Sequence, residues 1–312
     1  MCGIFGWAVD ANEVKRPKTR GKLTSIAAIL SVLNDGRGGQ AWGWYAPIED
    51  RLRKGLGKLA EHRASRLAAH STLLAHTRLA THGAATDLNC AHPFKIGSLV
   101  GAHNGVLSNH DELNKAHDRR FAVDSQHIFA HLAESKPLVE LRGYGAIEYA
   151  SPGEDSISLG RFNGGTLAVA DLGFGCAWSS DSQHLKIACK VSGLRYDPWQ
   201  VVASTGYLAC PNGLVHSGRE YVVGLAPVRQ DWRDGLVKDR LPIGYGQGSM
   251  TSSRADSMWD WSEAKAESSR NSAYDYCHVC ERTCGCDPAC GVLAKVEERL
   301  FCHECYRACH CR

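Results

Sequence analysis

The chain of 312 residues has no apolar run of about 18 residues, so no segment reads as a membrane-spanning helix. Its start, from Met1 to Trp7, lacks a basic stretch followed by a cleavable apolar segment, which predicts a chain that is not secreted and is located in the cytoplasm. Charge of one sign is lacking as well. The formal net charge is only +3, so composition points to neither a nucleic-acid nor a membrane partner. No G-x-x-x-x-G-K-[ST] run occurs, which removes a P-loop nucleotide site from consideration. With 44% hydrophobic and 22% charged residues, the sequence can bury a sizeable core and is not that of a disordered chain.

Cysteine is abundant, and its placement matters more than its count. Of 14 cysteines, Cys2, Cys90, Cys176, Cys189 and Cys210 are scattered, and the rest lie between Cys277 and Cys311. A secreted disulfide scaffold would be short and preceded by a signal segment. A local cluster in a reducing compartment is better explained by metal thiolates.

Residues 1–230 alternate short apolar runs with Gly, Asn and Asp punctuation. The pattern predicts strands over 3–9, 41–46, 72–78, 98–103, 166–171, 176–180, 185–190 and 200–204, and helices over 23–33, 109–117 and 125–134. Strands in groups with helices between them suggest stacked sheets covered by helices. Residues 231–276 read as a linker, rich in Ser, Gly and charge over 244–273, where Trp259 and Trp261 could dock onto one of the domains. Residues 277–312 read as a separate small module.

That tail contains a repeat. CHVCERTCGC at 277–286 and CHECYRACHC at 302–311 share C-H-x-C-x-R-x-C-x-C. The eight repeated cysteines, Cys277, Cys280, Cys284, Cys286, Cys302, Cys305, Cys309 and Cys311, match two four-thiolate zinc sites. Cys277, Cys280, Cys302 and Cys305 could share one ion and the other four the second, or each copy could close on its own ion. Cys290 is left over, and His278, His303 and His310 could replace a sulfur. An iron–sulfur cluster is a lesser alternative. So short a module cannot build a core, so metal would supply its folding energy. Closed thiolate sites suit docking of proteins or nucleic acids more than catalysis, although nothing in the sequence specifies nucleic acid.

Cys2 follows Met1, and removal of Met1 would leave a thiol and a free α-amine on one residue. An α-amine titrates near ~8 and can take the thiol proton, which makes a nucleophile with its own base. The segments MCGIFG at 1–6, GRGGQAWG at 36–43, HTRLATHG at 76–83, NCAHPF at 89–94, HNGVLSNHDEL at 103–113 and VDSQHI at 123–128 resemble, in order, those of the class II glutamine amidotransferases. These are glutaminase domains of the N-terminal nucleophile hydrolases. The resemblance covers about residues 1–130 and implies an α+β fold, a four-layer αββα sandwich, over 1–230.

The resemblance also implies roles. Cys2 would attack the side-chain amide of L-glutamine, and Asn104 and Gly105 would stabilise the oxyanion. Arg78, with Thr81 and His82 beside it, would hold the substrate carboxylate, Asp124 would hold its ammonium, and Arg37 would brace the loop around Cys2 at the edge of the substrate site. No cofactor is expected for the hydrolysis. His76, His92 and His103 are expected to be structural, because the amine already supplies the base. The sequence departs from the family at Leu79, in place of Trp, and at Gln40 and Ala41. Ser125 and Gln126 follow Asp124 in place of Thr-Glu, which is expected to loosen the ammonium site. No acceptor domain follows, so an ammonia-accepting partner enzyme is expected to be a separate protein. The rival readings are a γ-glutamyl conjugate hydrolase and a non-catalytic scaffold acting through the zinc tail.

Overall fold

The structure, a computed structural model, describes residues 2–196, 198–201, 204–225, 293–296 and 299–302. The chain opens with β1 (Gly3–Val9), the short helix α1 (Ala11–Val14), the long helix α2 (Pro17–Gly38), β2 (Ala41–Ala46), β3 (Arg51–Leu56), α3 (Ala64–Leu67) and β4 (Thr72–Arg78). It continues through β5 (Phe94–Ile96), β6 (Leu99–Leu107), α4 (His110–Ala116), α5 (Ser125–Ala133), β7 (Gly143–Ala150) and β8 (Ile157–Phe162). The body ends with β9 (Ala168–Asp171), β10 (Gly175–Ser179), α6 (Ser182–Val191), β11 (Pro198–Gln200), β12 (Thr205–Cys210) and β13 (Gly213–Glu220).

Two antiparallel sheets form. One runs β11-β9-β10-β1-β4-β2-β3 and the other β13-β12-β8-β7-β6-β5. The alternation of β1 shows how the layers arise. Phe5, Trp7 and Val9 pack into one buried cluster with Leu23, Ile26 and Leu30 of α2 and Leu185 and Ala188 of α6. Ile4 and Ala8 point the other way, into a second cluster with Val100, Ala102, Ala146 and Ile157 of the facing sheet. That sheet in turn packs Phe94, Ile147 and Phe162 against Leu113 of α4 and Ile128 and Phe129 of α5. Three cores between helices, sheet, sheet and helices make four layers, as expected of the αββα arrangement.

Two of the expected strands differ in the structure. Residues 185–190 form the middle of α6, not a strand. The Asp181 side chain accepts the Gln183 and His184 amides, and that N-cap starts a helix whose buried positions Leu185, Ala188, Cys189 and Val191 recur at helical spacing. Of the strand expected over 200–204, Gln200 ends β11 and Ser204 precedes β12, which begins at Thr205, while residues 202 and 203 lie outside the described residues. Among the strands not foreseen, β3 is an edge strand with Arg51, Arg53 and Leu56 exposed and Leu52 and Lys54 only half-buried, so its sequence RLRKGL carries little burial signal.

Of the tail, β14 (Leu293–Val296) and β15 (Arg299–Cys302) form an antiparallel pair with Leu293 opposite Cys302. The linker over 231–276 and Cys277, Cys280, Cys284, Cys286, Cys305, Cys309 and Cys311 lie outside the described residues. Among the described residues, no helix is long and apolar enough to cross a membrane.

Candidate active site

Cys2 precedes β1 directly, and the register of β1 with β4 sets Gly3 opposite Thr77. The Cys2 thiol therefore lies where β4 ends: Sγ accepts the Leu79 amide at 3.3 Å and lies 3.3 Å from the Leu79 carbonyl. The approach requires glycine next door. A Cβ at Gly3 would fall 2.2 Å from Asn34 Oδ1 of α2. Burial pushes the Cys2 thiol up, while the Leu79 amide and the Arg78 charge pull it back in part and Asp124 adds to the rise. A thiol so placed is protonated at rest and needs a base before it can attack.

Arg78, the last residue of β4, is buried. Its Nη2 donates to the His82 carbonyl at 2.6 Å and its Nη1 to the Ala84 carbonyl at 2.9 Å, which folds residues 79–84 into a loop over the end of the sheet. Each terminal nitrogen of a guanidinium carries two N–H groups; Nη2 also lies 3.5 Å from the Gly83 carbonyl, and Nη1 keeps one N–H for a ligand. On that loop Thr81 and Leu79 are exposed. His82 Nδ1 lies 3.5 Å from Asp124 Oδ1. The pair shapes both titrations. The hydrogen bond to Asp124 raises the His82 imidazole. Burial acts to raise the Asp124 carboxyl, yet the bonds from His82 and the Leu107 amide help hold it below the ordinary carboxylate value.

Asp124 stands at the start of α5 but makes no cap to it. Its Oδ2 accepts the Leu107 amide at 2.7 Å, so it is fixed to the end of β6, the strand that carries Asn104 and Gly105. At Gly105 a Cβ would meet the Tyr144 carbonyl at 2.0 Å, so only glycine allows β6 and β7 to approach this closely. Asn104 lines a cleft of about 540 Å³ with Arg37, Tyr144, Thr166, Ser180 and Asp181. Arg37, in the last turn of α2, reaches Ser180 Oγ at 3.4 Å and Asp181 Oδ2 at 3.5 Å. Ser180 Oγ accepts the Ile4 amide at 3.2 Å, so Arg37 braces the start of β1 from the side of β10.

Three residues that depart from the family pattern hold the site together. Gln40 Oε1 accepts the Ala80 amide at 2.8 Å and anchors the loop after Arg78. Ser125 Oγ lies 2.9 Å from His103 Nδ1. Gln126 Oε1 accepts the amides of Ala122 and Val123 at 3.1 and 3.0 Å and fixes the approach to Asp124. The loosening expected from Ser125 and Gln126 is thus not seen, because both side chains tie the segment down. The sequence signal was there: a polar side chain two positions into a helix can fold back on the amides before it. The His76 and His92 rings lie with centroids 4.1 Å apart at a tilt of 37°, and both are buried and pushed down by burial, His76 to about 3. Neutral rings in that setting fit a structural role.

No protein-family model matches the chain. It is 38% identical over 161 residues to a glutamine–fructose-6-phosphate aminotransferase (isomerizing) of Aliivibrio fischeri, covering 47% of this chain and 23% of the relative. To the enzyme of the same name from Haemophilus influenzae it is 42% identical over 145 residues, covering 43% and 22%. The chain thus spans less than a quarter of the length of these curated relatives. Among solved structures, one described as the allosteric regulatory enzyme of purine biosynthesis superposes with a TM-score of 0.51 at 16% identity, over 72% of this chain and 50% of the other. At that identity the likeness is one of fold.

Proposed function

We propose that this chain, whose body is a class II glutamine amidotransferase domain, hydrolyses the side-chain amide of L-glutamine and delivers ammonia to a separate acceptor enzyme. The observation that carries the reading is the position of the Cys2 thiol, set on the Leu79 amide with the charges of Arg78 and Asp124 acting on it. Glutamine bears a carboxylate and an ammonium on one carbon. Arg78 offers its charge and the remaining Nη1 N–H to the first, with Thr81 and His82 beside it, and Asp124, held ionised, accepts the second.

Once Met1 is removed, the α-amine of Cys2 takes the thiol proton and the sulfur adds to the amide carbon. The oxyanion that forms is stabilised by the Asn104 side-chain amide and the Gly105 N–H. On collapse, the C–N bond breaks, the ammonium of residue 2 returns its proton to the leaving nitrogen, and ammonia departs from a γ-glutamyl thioester. Water, deprotonated by the same amine, adds to the thioester, and glutamate leaves with the thiol restored. No step calls for a metal.

The test is glutamine-dependent ammonia release by the full chain. Cys2→Ala should abolish it, and release unchanged in Cys2→Ala would overturn the reading. A second reading has one observation in its favour: the cleft beside Asn104 is larger than ammonia requires and admits the amine half of a γ-glutamyl conjugate. Measuring amine release from such conjugates against ammonia release from glutamine separates the two.

The tail over 277–312 is read as a zinc module of two ions on Cys277, Cys280, Cys284, Cys286, Cys302, Cys305, Cys309 and Cys311, a docking element for the acceptor enzyme. The paired strands β14 and β15 between the two copies of the motif support it, since they return the chain on itself. Loss of both zinc ions without loss of basal turnover, on substituting one cysteine of each copy, is the expected result.

A further inference from the structure

We propose that His117, His131 and Glu140 form a divalent-metal site of the zinc class on the outer helical layer. His117 caps the C-terminus of α4, His131 lies in the last turn of α5, and Glu140 follows on the segment leading to β7. Their ligand atoms lie within 4.8 Å of one another, with His117 Nε2 3.0 Å and His131 Nε2 3.3 Å from Glu140 Oε2. Two ligands on one tetrahedral zinc, with bonds of 2.0–2.1 Å, stand about 3.3 Å apart. The two histidine–carboxylate separations fit.

The rings can serve in either of two neutral tautomers. With Nδ1 accepting from Arg119 at 3.2 Å, His131 donates Nε2–H to Glu140 at 3.3 Å, and His117 does the same with Lys136 behind it. With Nδ1–H donating to the His127 carbonyl at 2.8 Å, His131 turns an Nε2 lone pair on the same carboxylate oxygen. That is the tautomer a zinc ion selects, since a histidine ligand whose other nitrogen donates to a carbonyl is its usual support. The surrounding charges leave room for it. Arg119 and Lys136 both bind Glu134 at 2.7 Å, and Lys136, 38% exposed, can turn from His117 Nδ1, now 3.3 Å away. Glu140 is partly exposed, so water can complete the coordination.

The ion would close residues 118–130 into a loop with Asp124 in its middle, and so hold the helix start that presents this carboxylate. The metal site itself does not depend on the amide chemistry, and its test uses no activity. Zinc content of the full chain should fall by one ion in the double variant His117→Ala/Glu140→Gln, whatever the tail retains. With cobalt(II) as the probe, the difference spectrum between the two proteins should lack thiolate charge-transfer bands. Glu140→Gln alone, at an exposed side chain, should lose most of the zinc-induced rise in Tm and keeps the test open if the double variant does not fold. Equal zinc content and equal Tm rise in wild type and variants, or a difference spectrum carrying thiolate bands, would overturn the proposal.

Discussion

Asp124 Oδ2 accepts the Leu107 amide at 2.7 Å, so the carboxylate at the start of α5 is fixed to the strand that presents Asn104. The bond couples the group proposed to hold the substrate ammonium to the group proposed to meet the oxyanion. It also explains why an aspartate stands at a helix start without capping it. Gln126 supplies the bonds to the preceding amides instead.

Asp124→Asn keeps an oxygen for the Leu107 amide and removes the charge. A hydrogen bond to a charged group contributes about 1.5–3 kcal/mol, so KM for glutamine should rise roughly tenfold to a hundredfold with the fold intact. Steady-state ammonia release over a glutamine titration checks this. An unchanged KM would place the ammonium elsewhere.

Asn104→Ala and Arg78→Lys should separate in kinetics. Loss of one oxyanion donor costs about 2.7–4 kcal/mol of transition-state stabilisation, so Asn104→Ala should lower kcat by two to three orders of magnitude. Arg78→Lys should act mainly on KM, because an ammonium cannot reproduce the planar N–H fork that holds the loop and faces a carboxylate together. It should also lower Tm, since the His82 and Ala84 carbonyls lose their partner. The reverse split between kcat and KM would exchange the two roles.

Stability should fall in mild acid. His76 is pushed down to about 3 by burial, so between about 6.5 and 3 the unfolded chain takes a proton that the folded chain refuses. Stability from this group is present above about 6.5 and is lost as pH drops, at up to about 1.4 kcal/mol per pH unit. The Asp124 carboxyl, held low, adds a loss at still lower pH. Chemical denaturation at pH 7 and pH 5 should show a smaller loss for His76→Phe than for wild type, by about 2 kcal/mol. An equal loss in the two proteins would mean that His76 is not the group responsible.

Much of this was legible along the chain because it is local. The alternation of Ile4 and Ala8 with Phe5, Trp7 and Val9 is a strand buried on both faces, and the six ordered segments carry Cys2, Arg78, Asn104 and Asp124 in turn. Residues 185–190 misled because LKIACK is a short apolar run in which strand and helix periods look alike, and the Asp181 cap four residues upstream decides between them. What could not be read is what the fold brings together from afar. Arg37 meets Asp181 across 144 positions, Ser180 bonds Ile4 across 176, and Gln40 anchors Ala80 across the β2 and β4 pair. Gln40 departs from the resembled pattern, and its bond to Ala80 appears only once β2 lies beside β4.

The central claim is that the Cys2 thiol is the nucleophile at the mature N-terminus. Intact-mass and peptide-mass analysis after treatment with the glutamine analogue diazo-oxo-norleucine tests it most directly. The expected result is a chain lacking Met1 with a single adduct on Cys2, formed at a rate that excess glutamine slows. Retention of Met1 in an active protein, or an adduct on Cys90 with Cys2 unmodified, would contradict it.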